Sequence, residues 1–181
     1  MPLQGYLDAG CDPRSMNTGD ALEESLLERL RASQTGHDCF RKGLSLSSRS
    51  EQSASMLASK LAARGYPRPC IEKAIDRLSG LGYIDEGRFA AAFIASRVAT
   101  KPEGPVSLLA GLRRRGVSPQ IAAESIASAF PEDKRREALI ASIERLVKRG
   151  LREKALYEKL RRIGFRHSEI VEKGILPSRD A

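Results

Sequence analysis

The chain has 181 residues, with 31 Lys and Arg against 23 Asp and Glu, a formal charge of +8. That length allows one compact core or a short array of repeats but excludes several large domains, and the basic balance favours polyanionic or acidic partners. Three cysteines, Cys11, Cys39 and Cys70, are too few for a disulfide scaffold, no run reaches a membrane span, and residues 1–19 lack the apolar stretch of a signal peptide, so a soluble, cytoplasmic protein without membrane contact is expected.

Residues 1–19 place Pro2, Gly5, Gly10, Pro13 and Gly19 between isolated apolar residues and are read as a disordered tail. Asp20 and Glu23 have capping-box spacing, and Ala21, Leu22, Leu26, Leu27 and Leu30 form the stripe of a helix ending before Gly36. Residues 36–47 leave two readings open, a loop or a resumption of that helix. Ser48 and Glu51 repeat the capping spacing ahead of Met56, Leu57 and Leu61, which predicts a helix over about 49–64. Pro69 suits a first turn, and Ile71, Ala74, Ile75 and Leu78 carry the next helix towards Gly80 and Gly82. Asp85 is read as the cap of a helix with Phe89, Ala92, Phe93 and Ser96 on one face, broken at Lys101-Pro102-Glu103-Gly104-Pro105. Pro105 then opens a helix with Leu108, Leu109 and Leu112, and Ser118-Pro119 caps and opens another with Ile121, Ala122, Ser125, Ile126 and Ala129. Beyond Pro131, Leu139, Ile143, Leu146 and Val147 run to Gly150, Ala155, Leu156, Leu160 and Ile163 run to Gly164, and Ser168 leads a last short helix with Ile170 and Val171.

One pattern recurs. Lys60-Leu61-Ala62-Ala63-Arg64-Gly65-Tyr66, Gly111-Leu112-Arg113-Arg114-Arg115-Gly116-Val117 and Lys159-Leu160-Arg161-Arg162-Ile163-Gly164-Phe165 each end a helix in basic residues, a glycine and an apolar residue, with the glycines 51 and 48 positions apart. Each glycine fits the left-handed turn that stops a helix, and each leucine can meet the apolar residue beyond it. Such self-similarity predicts an all-α fold, an elongated array of three tandem three-helix repeats over residues 20–80, 85–130 and 131–176, with a second short tail at 177–181. Charge follows the repeats: residues 1–47 are net −2, whereas 48–130 and 131–181 are each net +5.

Catalytic constellations are missing where they would be needed. His37 and His167 are the only histidines, and neither a metalloprotease helix motif nor a phosphate-cradling Gly-x-x-x-x-Gly-Lys occurs. His37, Cys39 and Cys11 offer no evident fourth metal ligand and are read as incidental. Cys70, at a helix start beside Ile71, is read as a small partly buried thiol rather than a redox sensor. No cofactor, no metal and no enzymatic activity are expected.

The residues Lys60-Leu61 with Arg64-Gly65-Tyr66, Leu81-Gly82-Tyr83-Ile84-Asp85-Glu86, Arg88-Phe89-Ala90, Phe93-Ile94-Ala95-Ser96-Arg97, Gly104-Pro105 and Arg115-Gly116-Val117 together resemble the RecX family of bacterial recombination regulators. The third repeat is similar through Leu160 and Arg162-Ile163-Gly164-Phe165, and Glu86 stands where the family usually has a second aspartate. The resemblance implies tandem three-helix repeats and a monomeric, non-enzymatic protein. It also implies binding to RecA or its nucleoprotein filament, with suppression of ATPase and strand-exchange activity, and single- or double-stranded DNA as a further partner.

Contact residues are sought among the cations. Arg113, Arg114 and Arg115 span about 300° of helix at 100° each, so they cannot all face one ligand, but the same position is basic in every repeat. Stacking would align Arg64, Arg115 and the pair Arg161 and Arg162, with Lys159 nearby, into a stripe suited to phosphates or an acidic groove. Arg88, Arg97 and Lys101 are secondary candidates, and Phe89 and Phe93 are read as core rather than base-stacking platforms. A helix-turn-helix regulator is the competing reading, suggested by the short turns at Gly65 and Gly116. Against it, the helix at 119–130 offers only Gln120 as an obvious base-edge reader.

Overall fold

Few β-branched residues and leucines at helical spacing leave this chain one way to bury its apolar side chains, as packed helices. The computed structural model describes residues 23–100 and 103–176 together with Leu7, Gly10 and Asp12, and among them it contains helices and no strand. From Glu24 on, the helices in chain order are α1 (Glu24–Ser47), α2 (Ala54–Ala62) and α3 (Arg68–Gly80), then α4 (Glu86–Thr100), α5 (Pro105–Arg113) and α6 (Pro119–Ala129), then α7 (Glu132–Lys148), α8 (Glu153–Arg162) and α9 (His167–Glu172). The chain divides into two compact units, Met1–Asp85 and Glu86–Ala181, so the second and third trios share a unit. No described helix is long and apolar enough to cross a membrane.

In the first unit α1 packs along α3 and α2, burying Cys39, Leu57, Leu61, Ile71, Ala74 and Leu78 in one core. In the second unit α6 packs on α4 and α5, with Ile94, Leu108, Leu112, Ala122, Ile126 and Phe130 buried, while Leu139, Leu146, Leu156, Leu160, Phe165 and Ile170 form the core of the third trio.

The three stops form as their sequences predict. Gly65, Gly116 and Gly164 have φ of 82°, 80° and 97°. In each, the amide of the apolar residue past the glycine donates to the carbonyl of the leucine five positions back: Tyr66 to Leu61 at 3.4 Å, Val117 to Leu112 at 3.2 Å and Phe165 to Leu160 at 3.2 Å. The same bond ends α3 and α7, from Tyr83 to Leu78 at 2.9 Å and from Leu151 to Leu146 at 3.1 Å, around Gly82 and Gly150. One stop chemistry therefore closes five helices.

Four local expectations change. Helix α1 does not end before Gly36 but continues to Ser47, because a glycine alone costs a helix interior only about 1 kcal/mol and tertiary packing of the second half repays it. Its first residue is Glu24, so the proposed cap at Asp20 lies outside the described residues. Helix α2 begins at Ala54 rather than near 49, and its cap is Ser53, whose hydroxyl accepts the Met56 amide at 3.2 Å, instead of Ser48. On α4 the buried face is Phe89, Ala90 and Ile94, whereas Ala92 and Ser96 are exposed and Phe93 is half-buried. Ser168 sits inside α9, whose start is held by the Glu169 carboxylate accepting the Arg166 amide at 2.7 Å.

Candidate partner-binding surface

The cations picked from the sequence occupy distinct environments. Arg113 and Arg114 at the end of α5, and Arg161 and Arg162 at the end of α8, are exposed where their charge complements the C-terminal end of the helix dipole. Arg161 also reaches the Phe165 carbonyl at 3.3 Å. Arg64 is exposed and donates to the Lys60 carbonyl, and Lys60 in turn donates to the buried Gln52 amide oxygen at 2.6 Å. Arg88 is exposed on the first turn of α4, Lys159 is half-buried, and Lys101 lies outside the described residues.

Arg97 and Arg115 are used inside the second repeat. Both cover the Phe93 ring, with guanidinium carbons 5.3 and 4.6 Å from its centroid, and Phe93 stacks on Phe89 at 6.4 Å. Arg115 donates to the Gly111 carbonyl at 2.9 Å, and Arg97 is paired with Glu103 at 3.1 Å, where both side chains are largely shielded from water. Gly111 makes this possible, since a Cβ there would stand 2.7 Å from the Phe93 ring. Each cation over a partly desolvated ring contributes roughly 0.5–2 kcal/mol. The triple-arginine tract thus splits by helical phase, with Arg113 and Arg114 presented outward and Arg115 turned to Phe93.

The acidic residues before Arg88-Phe89 have a structural task as well. The Glu86 carboxylate accepts the Ser118 amide at 3.1 Å across 32 positions, tying the first turn of α4 to the cap of α6, where the Ser118 hydroxyl accepts the Ile121 amide at 3.4 Å. Gln120, the base-edge candidate, donates to Glu124 on its own helix at 3.0 Å.

The basic ends of α5 and α8 do not lie side by side. The turn that ends α8 meets the start of α5: the Gly104 amide donates to the Ile163 carbonyl at 2.8 Å and the Val106 amide to the Gly164 carbonyl at 3.0 Å. The chain just past Arg161 and Arg162 therefore meets one end of α5, and Arg113 and Arg114 stand at the other end of this helix, which is about 13 Å long over its nine residues. Sequence reasoning missed this joint, the Gly111 and Phe93 fit and the Glu86 tie. The Gly-Pro before α5 and the glycine inside it were the available signals.

Elsewhere, burial first and the nearby Cys70 second push the Cys39 thiol up to about 11, so it is protonated at neutral pH. Cys39 and Cys70 are free thiols. Among the described residues no three His, Cys, Asp or Glu side chains converge on a metal-sized site, and Cys11 lies outside them. His167 is 2.7 Å from the Tyr157 hydroxyl through Nδ1.

Residues 85–126 match the family model for the second three-helix domain of RecX. The regulatory protein RecX of Treponema pallidum is 33% identical over 120 residues, covering 66% of this chain and 73% of that protein. Its counterpart from Mycobacterium sp. (strain KMS) is 36% identical over 100 residues, covering 55% and 52%. Among solved structures, a regulatory protein RecX matches with a TM-score of 0.77 at 18% identity, over 93% of this chain and 83% of the other. RecX from Lactobacillus salivarius matches with a TM-score of 0.69 at 17% identity, over 77% and 94%.

Proposed function

The chain belongs to the RecX family of regulatory proteins, and from that premise we propose that it binds RecA, or RecA assembled on single-stranded DNA, and lowers its ATPase and strand-exchange activity without chemistry of its own. The observation that carries this reading is the exposure of two cationic helix ends, Arg113 with Arg114 and Arg161 with Arg162, in a unit where Arg97 and Arg115 are consumed by internal contacts. Exposed cations on helix ends suit phosphates or an acidic protein groove, and both are offered by a nucleoprotein filament. Arg64 extends the set to the first unit, and Arg88 is a further contact. Three repeats, 20–80, 85–130 and 131–176, are the units that engage the filament, in a monomer acting in the reducing cytoplasm where such filaments assemble.

Binding by positively charged helix ends predicts weak sequence dependence and strong salt dependence for any contact with DNA. The test is a titration of this protein into RecA hydrolysing ATP on single-stranded DNA. Hydrolysis is expected to fall at less than one copy per RecA subunit. Unchanged hydrolysis with folded protein in excess would refute the proposal, and a large preference for one duplex site in DNA binding would favour the helix-turn-helix reading.

A further inference from the structure

A helix leaves its first amides and last carbonyls without partners within the helix. At the start of α5 two such amides are met by the carbonyls of the cap residue of α8, Ile163, and of the glycine that follows it. Gly104 and Val106 donate, and Ile163 and Gly164 accept, with Gly104 and Pro105 both buried. The positive end of one helix dipole meets the negative end of the other, so charge favours the same pairing. Both glycines are needed for the approach. A Cβ on Gly104 would fall on the Gly164 carbonyl group and the Phe165 amide nitrogen, and one on Gly164 would fall on Ser107. At Gly82 and Gly150, which close helices with the same left-handed turn, nothing lies within 4 Å of the added atom. The close packing thus belongs to the Gly164 stop and not to the turn chemistry.

We infer that Gly104 and Gly164 form a mutual helix-end cap that makes the second and third repeats one rigid body, and that they are positioning residues holding Arg161 and Arg162 at a fixed separation from Arg113 and Arg114. The inference rests on the proposed reading that these helix ends contact the filament. Two cationic contacts on a rigid body engage one partner at a high effective concentration, and a loosened joint forfeits that gain without losing a single charge.

Gly104→Ala is the cleanest probe, because φ of −78° and ψ of 168° are open to alanine and only the contact across the joint forbids it. Amide exchange should speed up at Gly104 and Val106, the two donors, while the inner amides of α5 stay protected. Affinity for RecA filaments on single-stranded DNA should fall about ten-fold. Arg162→Glu should also weaken binding, and in its background Gly104→Ala should cost clearly less than in the parent, since part of the contact it positions is already lost. A variant that merely destabilised the fold would instead subtract equally in both backgrounds, and that result would overturn the positioning role. Unchanged exchange at Gly104 and Val106 would overturn the joint itself. If Arg162→Glu and Arg114→Glu leave filament binding intact while exchange shows the joint opened, the proposed contact surface falls and the positioning role with it. Should Gly104→Ala fail to fold, Gly164→Ala measured against Gly150→Ala decides the matter, because both strain a left-handed stop but only the first meets a neighbour. Greater weakening of binding by Gly164→Ala supports the inference, and equal effects refute it.

Discussion

The first and second repeats solve one packing problem with the same parts in different places. In the first, Gly43 of α1 admits Leu78 of α3, a Cβ there lying 2.8 Å from a leucine methyl, and Arg77 covers the Phe40 ring at 4.3 Å. In the second, Gly111 of α5 admits Phe93 of α4, and Arg115 from the same helix as the glycine covers that ring. The guest in the first repeat is a fully buried aliphatic side chain, whereas in the second it is a half-exposed ring under arginines. The consequence is a closed core in one case and a polar, adjustable edge in the other, beside the outward Arg113 and Arg114.

The first core holds a fully buried thiol, Cys39, and the largest expected difference follows from it. Cys39 has its pKa raised from 9.0 to about 11, so the fold binds the thiol proton more tightly than the unfolded chain does. Its stabilising share is complete below pH 9 and is lost as pH rises through about 11. Amide exchange should show α1 and α3 opening over that window ahead of α5 and α6, and Cys39→Ala should flatten the slope. A slope indifferent to that substitution would assign alkaline sensitivity to other groups.

Gly43→Ala forces Leu78 against Leu57 and Leu61 and should cost about 1–3 kcal/mol in denaturant unfolding. Gly111→Ala should cost under about 1 kcal/mol, since Phe93 can tilt outward and alanine favours the helix; its signature is slackened contact between Arg115 and the ring rather than a lower midpoint. An equal cost at both positions would remove the distinction between closed core and adjustable edge. Gly36→Ala, with nothing within 4 Å of the added carbon in the same long helix as Gly43, should stabilise by about 0.5–1 kcal/mol.

These glycines also show what a sequence reveals. Gly65, Gly116 and Gly164 were legible because a leucine, a basic turn and an apolar residue surround each at fixed offsets, which is local chemistry. Gly36, Gly43 and Gly111 look alike in sequence, yet one is open, one accommodates a leucine and one a ring, and only the neighbouring helix determines which. For that reason the sequence leaves residues 36–47 open between a loop and a continued helix, and packing settles it as helix. Helical phase keeps the three arginines of the tract from facing one way, but which member turns inward depends on Phe93 across the interface. Ser48 and Ser53 both had a hydroxyl to offer as a cap, and burial of Leu57 and Leu61 selected the register that uses Ser53.

The smallest expected effect on stability is at the outward pair. Arg113→Glu with Arg114→Glu should shift unfolding by no more than about 0.5 kcal/mol, because both side chains are exposed, whereas Arg115→Glu should cost more through the ring and the Gly111 carbonyl. The same pair decides the functional account. RecA ATP hydrolysis on single-stranded DNA, titrated with the parent protein and with the Arg113→Glu, Arg114→Glu variant, tests it most directly. The account predicts that the variant keeps its helical circular dichroism and melting midpoint but needs about ten-fold more protein for equal inhibition. Full inhibition by the folded variant at the parent's concentration would contradict it.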